Sequence, residues 1–311
     1  MLMGTVLSIE VAAPSTESAV ALMPKLWAES ERLDNIFSRY IPGSEINLIN
    51  REAGHEPVPV STDMMTVFTR AGEISRLTGG AFDITVGPLM ELWGFFPKIK
   101  GKVPPEAEVK KALLRIGWRS VELNPSRQTI RFLLPEMEID LSAAAKGYVV
   151  DRIIALLVEE GIESALVNAG GDIYCLGYAP GGRPWKIGME HPRNEEDLLT
   201  VLELRDRAVA TSGDYRNYFI RNRRRYSHII DPFTGGPVRN GVVGASVLAD
   251  DCLTADALAT AIFVMGAKKG MELIESIEGV EGIIVTEERD EIKMRFSKGS
   301  AIKLDEKKLS R

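Results

Sequence analysis

Apolar residues recur at helical spacing in several parts of the chain. From Glu17 to Phe37 they follow the i, i+3, i+4 pattern of an amphipathic helix. Ser44 predicts the start of a short helix, and the segment 60–63 caps another that ends at Leu77 before Thr78-Gly79-Gly80. Further patterns predict a helix over Glu106–Leu114 and strands over Thr5–Val11, Trp185–His191, Leu199–Leu204, Gly282–Val285 and Glu291–Phe296.

The stretch from Glu136 to Asp172 gives the clearest predicted succession of secondary-structure elements. The apolar run Met137–Leu141 predicts a strand, and Ser142 is placed to cap a helix that begins in 143–145. That helix ends at Gly161, and the apolar run Ser164–Val167 predicts a second strand before a Gly-rich turn. Strand, crossover helix and strand together predict a central right-handed βαβ unit.

The start of this helix has the composition of an anion site. Three alanines and Gly147 leave the backbone amides accessible, and Lys146 adds a positive charge beside them. Neither common phosphate motif, G-x-x-x-x-G-K-S/T or G-x-G-x-x-G, is present. An ordinary βαβ unit with small residues for close packing explains the same pattern equally well.

Composition limits the class of protein. The net charge of −6 and the pI near 5.4 argue against nucleic acid as a partner. Cys175 and Cys252 lie in apolar surroundings and are expected to be buried free thiols. No apolar run approaches the about 20 residues that span a bilayer, and no leader is visible. We expect a cytoplasmic chain as written, or an extracytoplasmic one if a leader or lipobox was removed.

Two sets of side chains suggest chemistry. His228 lies near Asp231 and a Gly-rich turn, and its ring can accept a proton near neutral pH. A purely structural histidine is the alternative. Asp256 and Thr260 are four residues apart on one face of a predicted helix, and both supply hard oxygen ligands that suit Mg²⁺. A solvated surface pair is the alternative for them.

Other polar and aromatic residues lie in predicted turns. Tyr40 is in a loop between helices, where its ring can either pack at a rim or stack on a flat ligand. Asp83 and Thr85 lie beside glycines and indicate a ligand wall, with an Asx turn as the alternative for Asp83. Residues Tyr218–Arg221 and Arg225–Ile230 predict a hairpin whose tip is the segment 222–224.

Taken together, these segments resemble the FAD:protein FMN transferase family, known as ApbE. The resemblance spans nearly the whole chain in the order of the family. It rests on Met3-Gly4-Thr5, Ser38–Asn50, Gly80–Asp83 with Gly87-Pro88, Ile139–Asp151, Asn168–Asp172, Ala210–Tyr215, Tyr226–Gly235 and Asp256–Ala261. The chain departs from the family at Ile84, where a proline is common, and at Ser142–Ala144, where glycines are common.

The resemblance implies an α+β fold with mixed β-sheets and flanking helices. It implies one catalytic domain over residues 1–311, or two intertwined lobes with a surface connection near 97–105. The activity it implies is Mg²⁺-dependent: FAD is cleaved, FMN is attached through a phosphoester bond to a Thr or Ser of an acceptor flavoprotein, and AMP is released. Hydrolysis of FAD to FMN and AMP, or a non-catalytic FAD carrier, are alternatives. Membrane association would come only through the acceptor or a missing leader.

The resemblance also implies roles for individual residues. His228 would deprotonate the attacking hydroxyl, with Asp231 orienting its ring. Asp256 and Thr260 would hold Mg²⁺ together with a backbone carbonyl at Ala145. The residues implied for FAD binding are Met3, Ser38, Tyr40, Asp83, Thr85, Lys146, Asn168, Gly170, Gly171, Asp172, Asp214 and Thr234.

Overall fold

A computed structural model describes residues 3–13, 15–97, 100–289 and 291–298 of the chain. Lys98 and Ile99 of the predicted connection, and most of the charged C-terminal segment, lie outside these residues. Within the described ranges, no helix combines the length and the hydropathy required to cross a bilayer.

The described residues form helices and strands in a mixed order along the chain. The helices are α1 (Thr16–Phe37), α2 (Glu45–Glu52), α3 (Thr62–Leu77), α4 (Gly87–Leu92), α5 (Glu106–Leu113), α6 (Ala145–Glu159), α7 (Cys252–Met265) and α8 (Ala267–Glu275). The strands are β1 (Leu7–Val11), β2 (Val58–Pro59), β3 (Val121–Asn124), β4 (Thr129–Phe132), β5 (Ala165–Ala169), β6 (Asp172–Leu176), β7 (Trp185–His191), β8 (Asn194–Leu204), β9 (Arg207–Gly213), β10 (Tyr218–Arg221), β11 (Arg224–Ser227), β12 (Val242–Ala249), β13 (Glu281–Glu288) and β14 (Glu291–Phe296).

A seven-stranded sheet dominates the described part of the fold. Its order is β1-β5-β6-β9-β12-β13-β14, and each neighbouring pair is antiparallel. Strand β12, which lies between β9 and β13, is buried along its whole length because both faces of the sheet are covered. Helices α6 and α7 pack on one face, and the β7–β8 hairpin buries Trp185, Ile187 and Leu202 against the other.

Helix α7 is apolar nearly all round and is buried among α6, α8 and the sheet. Asp251 caps it by accepting from the Thr254 amide, and Asp151 of α6 accepts from the amides of Cys252 and Leu253. The two helices meet at Gly147, where an added Cβ would lie 2.4 Å from the Cys252 carbonyl oxygen. This close contact holds the first turn of α7 beside the first turn of α6.

The structure confirms the α+β class but corrects the predicted βαβ unit. Residues 137–141, all described, form only an isolated bridge between Glu138 and Val86, and β5 pairs antiparallel with both of its neighbours. The Asn50 side chain donates to the Ile139 carbonyl at 3.0 Å and accepts from the Ile139 amide at 2.7 Å. The apolar residues Met137, Ile139 and Leu141 are buried, but a side-chain amide takes the place of a neighbouring strand.

The predicted helices and hairpin are otherwise found close to their expected bounds. Ser44 and Ser61 cap α2 and α3, and β10 pairs with β11 as the predicted hairpin. Two local predictions are wrong. Helix α6 follows Ala144 and has no side-chain cap, so Ser142 does not cap it; the Ser142 amide donates to Asp140 Oδ1 in the turn before the helix. His228 follows β11 rather than lying within it.

Candidate active site

A cavity of about 510 Å³ opens at the N-terminal end of α6. Its walls come from the segment before β1, the loop after α1, the β5–β6 turn, the end of β9, the segment after β11 and helix α7. The predicted site residues that line it are Met3, Tyr40, Ala145, Lys146, Gly170, Asp172, His228, Asp256 and Thr260. The fold therefore brings residues that are far apart in sequence, from Met3 to Thr260, to the wall of one cavity.

An ion cluster forms the floor of this cavity. The Lys146 ammonium lies 2.5 Å from Asp172 Oδ2 and 3.1 Å from Asp256 Oδ2, and it donates to the Ser142 carbonyl at 2.9 Å. Both carboxylates are buried. Burial and the nearby Asp172 charge raise the pKa of Asp256, while Lys146 opposes that rise. With all three groups charged, the cluster carries a formal charge of −1, which favours a cation.

This cluster changes the interpretation of Lys146. The sequence indicates a free positive charge for an anion, but the ammonium is already paired with two carboxylates. Burial alone would lower the pKa of Lys146, yet the two carboxylates outweigh burial and raise it. Lys146 therefore stays charged and holds Asp172 and Asp256 in place against each other.

The oxygen donors around Asp256 fit a magnesium ion. Helix α7 places Asp256 and Thr260 one turn apart, with the Thr260 hydroxyl 2.9 Å from the Ser212 hydroxyl. Carboxylate, hydroxyl and carbonyl oxygens are ligands that Mg²⁺ accepts, and it commonly shares its shell with substrate phosphates. The described residues contain no group of three or more His, Cys, Asp or Glu arranged to hold a metal. An ion here would therefore depend on a bound ligand for part of its shell.

His228 faces the same cavity in a defined tautomer. Its Nδ1 lies 3.0 Å from the Asn217 carbonyl oxygen, and the Asn217 carbonyl also accepts from the His228 amide at 2.9 Å. Since a carbonyl only accepts, Nδ1 carries the proton and Nε2 keeps a free lone pair. Burial lowers the pKa of His228 to about 4, and the Lys146 charge adds to this shift. The ring is neutral near pH 7 and can accept a proton.

Asp231 does not orient this ring, contrary to the prediction. Its carboxylate accepts from the Phe233 amide at 2.8 Å, and its own amide donates to the Gly236 carbonyl at 2.9 Å. These bonds close the tight turn that follows β11. The Asn217 backbone carbonyl performs the orienting role instead, and no side-chain pattern in the sequence could identify it.

Asp83 and Thr85 also lie outside the cavity wall. Asp83 accepts from the Thr85 amide at 2.8 Å, from the Thr85 hydroxyl at 2.7 Å and from the Trp118 amide at 3.0 Å. The Thr85 hydroxyl accepts in turn from the Gly117 amide. This network joins two loops, so the Asx-turn alternative describes Asp83.

Three more predicted binding residues line neither this cavity nor the one that adjoins it. Ser38 is buried beneath the loop after α1, and Thr234 is exposed in the 231–236 turn. Asp214 forms a bidentate ion pair with Arg193: Nη1 donates to Oδ1 at 2.8 Å, and Nη2 donates to Oδ2 at 3.0 Å.

A second cavity of about 330 Å³ adjoins the first. Asn168 and Gly171 line it, and Gly170, Thr211 and Arg216 line both cavities. Its remaining wall mixes apolar and polar residues and lies between the sheet and the β7–β8 hairpin. Gly170 has φ +67°, and an added Cβ would lie 2.3 Å from Thr5 Oγ1, so no side chain fits where the cavities join.

The prediction from sequence missed several residues of the first cavity. Phe96 packs against Tyr40 with ring centroids 5.4 Å apart, and the Arg39 guanidinium lies 4.0 Å from the Phe96 ring centroid. Arg39 also pairs with the buried Asp140 at 3.1 Å. The Tyr40 ring remains 55% exposed, which leaves a face available for a flat ligand. The one feature of the sequence that could have identified these residues is that Arg39 directly precedes Tyr40.

A cavity that holds a neutral imidazole beside buried, charge-coupled carboxylates is typical of enzymes. Residues 3–284 match the model of the ApbE family. A FAD:protein FMN transferase from Vibrio cholerae is 39% identical over 88% of this chain and 82% of its own length. One from Salmonella typhimurium is 32% identical over 95% and 85%.

Solved structures agree with the sequence comparison. The flavin transferase ApbE from Vibrio cholerae superimposes with a TM-score of 0.86 at 36% identity, covering 96% of this chain and 95% of that one. The ApbE protein from Thermotoga maritima gives a TM-score of 0.87 at 33% identity, with the same coverage. This chain belongs to the ApbE family.

The environment of His228 gives a titration that can be measured. We expect its ring to titrate near pH 4 in Mg²⁺-free buffer, below the ordinary 6.5, because burial disfavours the charged form. Between these values the unfolded chain binds more protons, so His228 reduces stability as the pH falls through this window. NMR of labelled imidazole, with His228→Gln to assign the signal, tests this; titration of His228 near pH 6.5 would contradict it.

Proposed function

We propose that this chain is a FAD:protein FMN transferase that cleaves FAD and attaches FMN to a Thr or Ser hydroxyl of an acceptor protein. The observation that carries the proposal is the placement of the free His228 Nε2 in one cavity with Asp256 and Thr260. A proton acceptor and a set of phosphate-compatible metal donors are the two requirements of hydroxyl attack on a diphosphate. The names of the relatives support the same reaction.

The shape of the two joined cavities suits FAD. FAD carries two flat ring systems linked through a diphosphate, and the cavities meet at Gly170, near the ion cluster. One cavity offers the exposed Tyr40 side chain for stacking, and the other offers a space beneath the β7–β8 hairpin that apolar residues such as Ile187 and Leu202 line in part. Gly170 lets Thr5 pack closely against the backbone at this junction, so no side chain from residue 170 enters the space where the two cavities meet.

The proposed transfer is one displacement at phosphorus. The acceptor hydroxyl oxygen forms a bond to the phosphorus of the FMN half, and the bond from that phosphorus to the bridging oxygen breaks. The hydroxyl proton passes to His228 Nε2, and AMP leaves with the bridging oxygen. The Asn217 carbonyl keeps the Nδ1 proton in place and stabilises the imidazolium that forms.

The donor set supports Mg²⁺ as the metal of this reaction. Asp256 and Thr260, with a carbonyl at Ala145, would hold the ion, and Asp172 lies in the same cluster. When bound, Mg²⁺ supplies positive charge that neutralises diphosphate oxygens. Lys146 bridges both carboxylates and offsets their mutual repulsion, so that the acidic floor persists without the ion.

Replacement of His228 tests the proposed base. We expect His228→Ala to reduce the rate of FMN transfer by about a hundredfold or more, because a positioned base contributes at least this factor. FAD affinity, measured by flavin fluorescence, should change little. Transfer at the wild-type rate with intact FAD binding would show that another group accepts the proton.

The same assay separates transfer from hydrolysis. Incubation with FAD and Mg²⁺ but without an acceptor should give little FMN and AMP, because water must then replace the positioned hydroxyl. Sustained turnover to free FMN would favour FAD hydrolysis as the main activity. FAD binding without AMP release under any of these conditions would indicate a carrier.

The metal proposal predicts an altered magnesium requirement. We expect Asp256→Asn to raise the Mg²⁺ concentration for half-maximal activity at least about tenfold, or to abolish activity, because a neutral amide is a weaker ligand for a hard cation. Asp250→Asn is a matched control, since the Asp250 side chain is 84% exposed. An unchanged Mg²⁺ titration for Asp256→Asn would remove this residue from the metal site.

A further inference from the structure

Strand β1 forms one edge of the seven-stranded sheet. Ala12 donates to the Ser164 carbonyl and Val6 accepts from the Gly170 amide, so the even-numbered residues 6–12 direct their backbone groups toward β5. Residues Leu7, Ile9 and Val11 consequently direct their N–H and C=O groups outward. No described strand pairs with this outer edge.

Helix α1 projects an apolar surface beside the same edge. Val20, Met23 and Trp27 are 61%, 55% and 69% exposed, although each is a large apolar residue. Together with Leu7, Ile9 and Val11 they line a groove of about 580 Å³, called the edge groove below. It combines unpaired strand backbone with an apolar wall, which are the two features that an added β-strand requires.

The edge groove leads to the active-site cavity. Val6 and Asp34 lie at one end of the groove, and the Met3 amide donates to Asp34 Oδ1 at 2.8 Å. Met3, Gly4 and Thr5 line the cavity that holds His228. One stretch of chain, residues 3–6, thus borders both spaces. At about 3.3 Å per residue, an extended ligand would cross from one to the other in about four residues.

We propose that the edge groove binds an extended segment of the acceptor protein as an added strand on β1. This inference rests on the proposed function, since a protein substrate must present a hydroxyl at His228. The segment would bond to the outward backbone groups of Leu7, Ile9 and Val11. Its alternate side chains would be apolar and would pack on Val20, Met23 and Trp27.

The orientation of the segment follows from the sheet. Each neighbouring pair of strands in the described sheet is antiparallel, and β1 runs away from the cavity. An antiparallel segment would run toward the cavity and place its C-terminal end there. The apolar residues of the acceptor that dock on the groove would therefore precede the modified Thr or Ser by about four residues or more.

Two variants test this surface without changing the cavity. Ile9→Pro removes an outward N–H that β5 does not use, and proline is tolerated on an edge strand. Trp27→Glu places a charge on the apolar wall from an exposed position, so folding should be retained even if Ile9→Pro is unstable. The probe is the protein acceptor of the Vibrio cholerae relative, with transfer followed by flavin fluorescence in denaturing gels.

We expect each variant to raise the acceptor concentration for half-maximal transfer by about tenfold, which corresponds to the loss of one or two backbone bonds or of one apolar contact. FAD affinity should stay at the wild-type value. Leu114→Glu is the matched control, because Leu114 is 76% exposed but lines neither the groove nor the cavity. It should behave as wild type.

The possible results are distinguishable. Acceptor dependence equal to wild type in both variants would overturn the docking surface while leaving the proposed function intact. No transfer by the wild-type chain, despite FAD binding, would overturn the proposed function and the docking surface with it. If light scattering shows a dimer that Trp27→Glu dissociates while transfer is unchanged, the groove joins two copies of this chain and the proposal is wrong.

Discussion

The site depends on the charge balance between Lys146, Asp172 and Asp256. These residues belong to α6, β6 and α7, so one ammonium joins three elements that are far apart in sequence. Two buried carboxylates this close would repel each other, and removal of one partner from such a buried cluster commonly costs about 3–5 kcal/mol. The same excess of negative charge that requires Lys146 also makes the cavity floor favourable for a cation. Stability and cation attraction therefore have one physical origin here.

The remaining geometry holds this cluster beside His228. The close approach of α6 and α7 at Gly147, reinforced by Asp151 at the start of α7, fixes Asp256 relative to Lys146. The Asn217 carbonyl fixes the imidazole tautomer from a different part of the chain. The acidic floor and the proton acceptor are thus positioned independently, and the space between them is where the phosphate of FAD would react.

Local sequence patterns predicted most of the helices and strands. They also predicted the charged residues that lie in apolar surroundings. Serine caps, helical periodicity and the β10–β11 hairpin were visible because they depend on neighbours in sequence. The run 137–141 was misassigned because Asn50, about 90 residues away, satisfies its backbone. Asp231 and Asp83 were given site roles because turn residues and catalytic residues share a composition. The Asn217 contact uses a backbone carbonyl, which residue identity does not reveal.

The proposed activity of this cavity is the transfer of FMN to a protein hydroxyl. Intact mass spectrometry of an acceptor domain, co-expressed with this chain and then denatured, tests it most directly. We expect the acceptor mass to increase by one FMN bound as a phosphoester, and no increase when the acceptor's modified Thr or Ser is replaced by Ala. An acceptor of unchanged mass in the presence of folded, FAD-binding protein would contradict the proposed transfer.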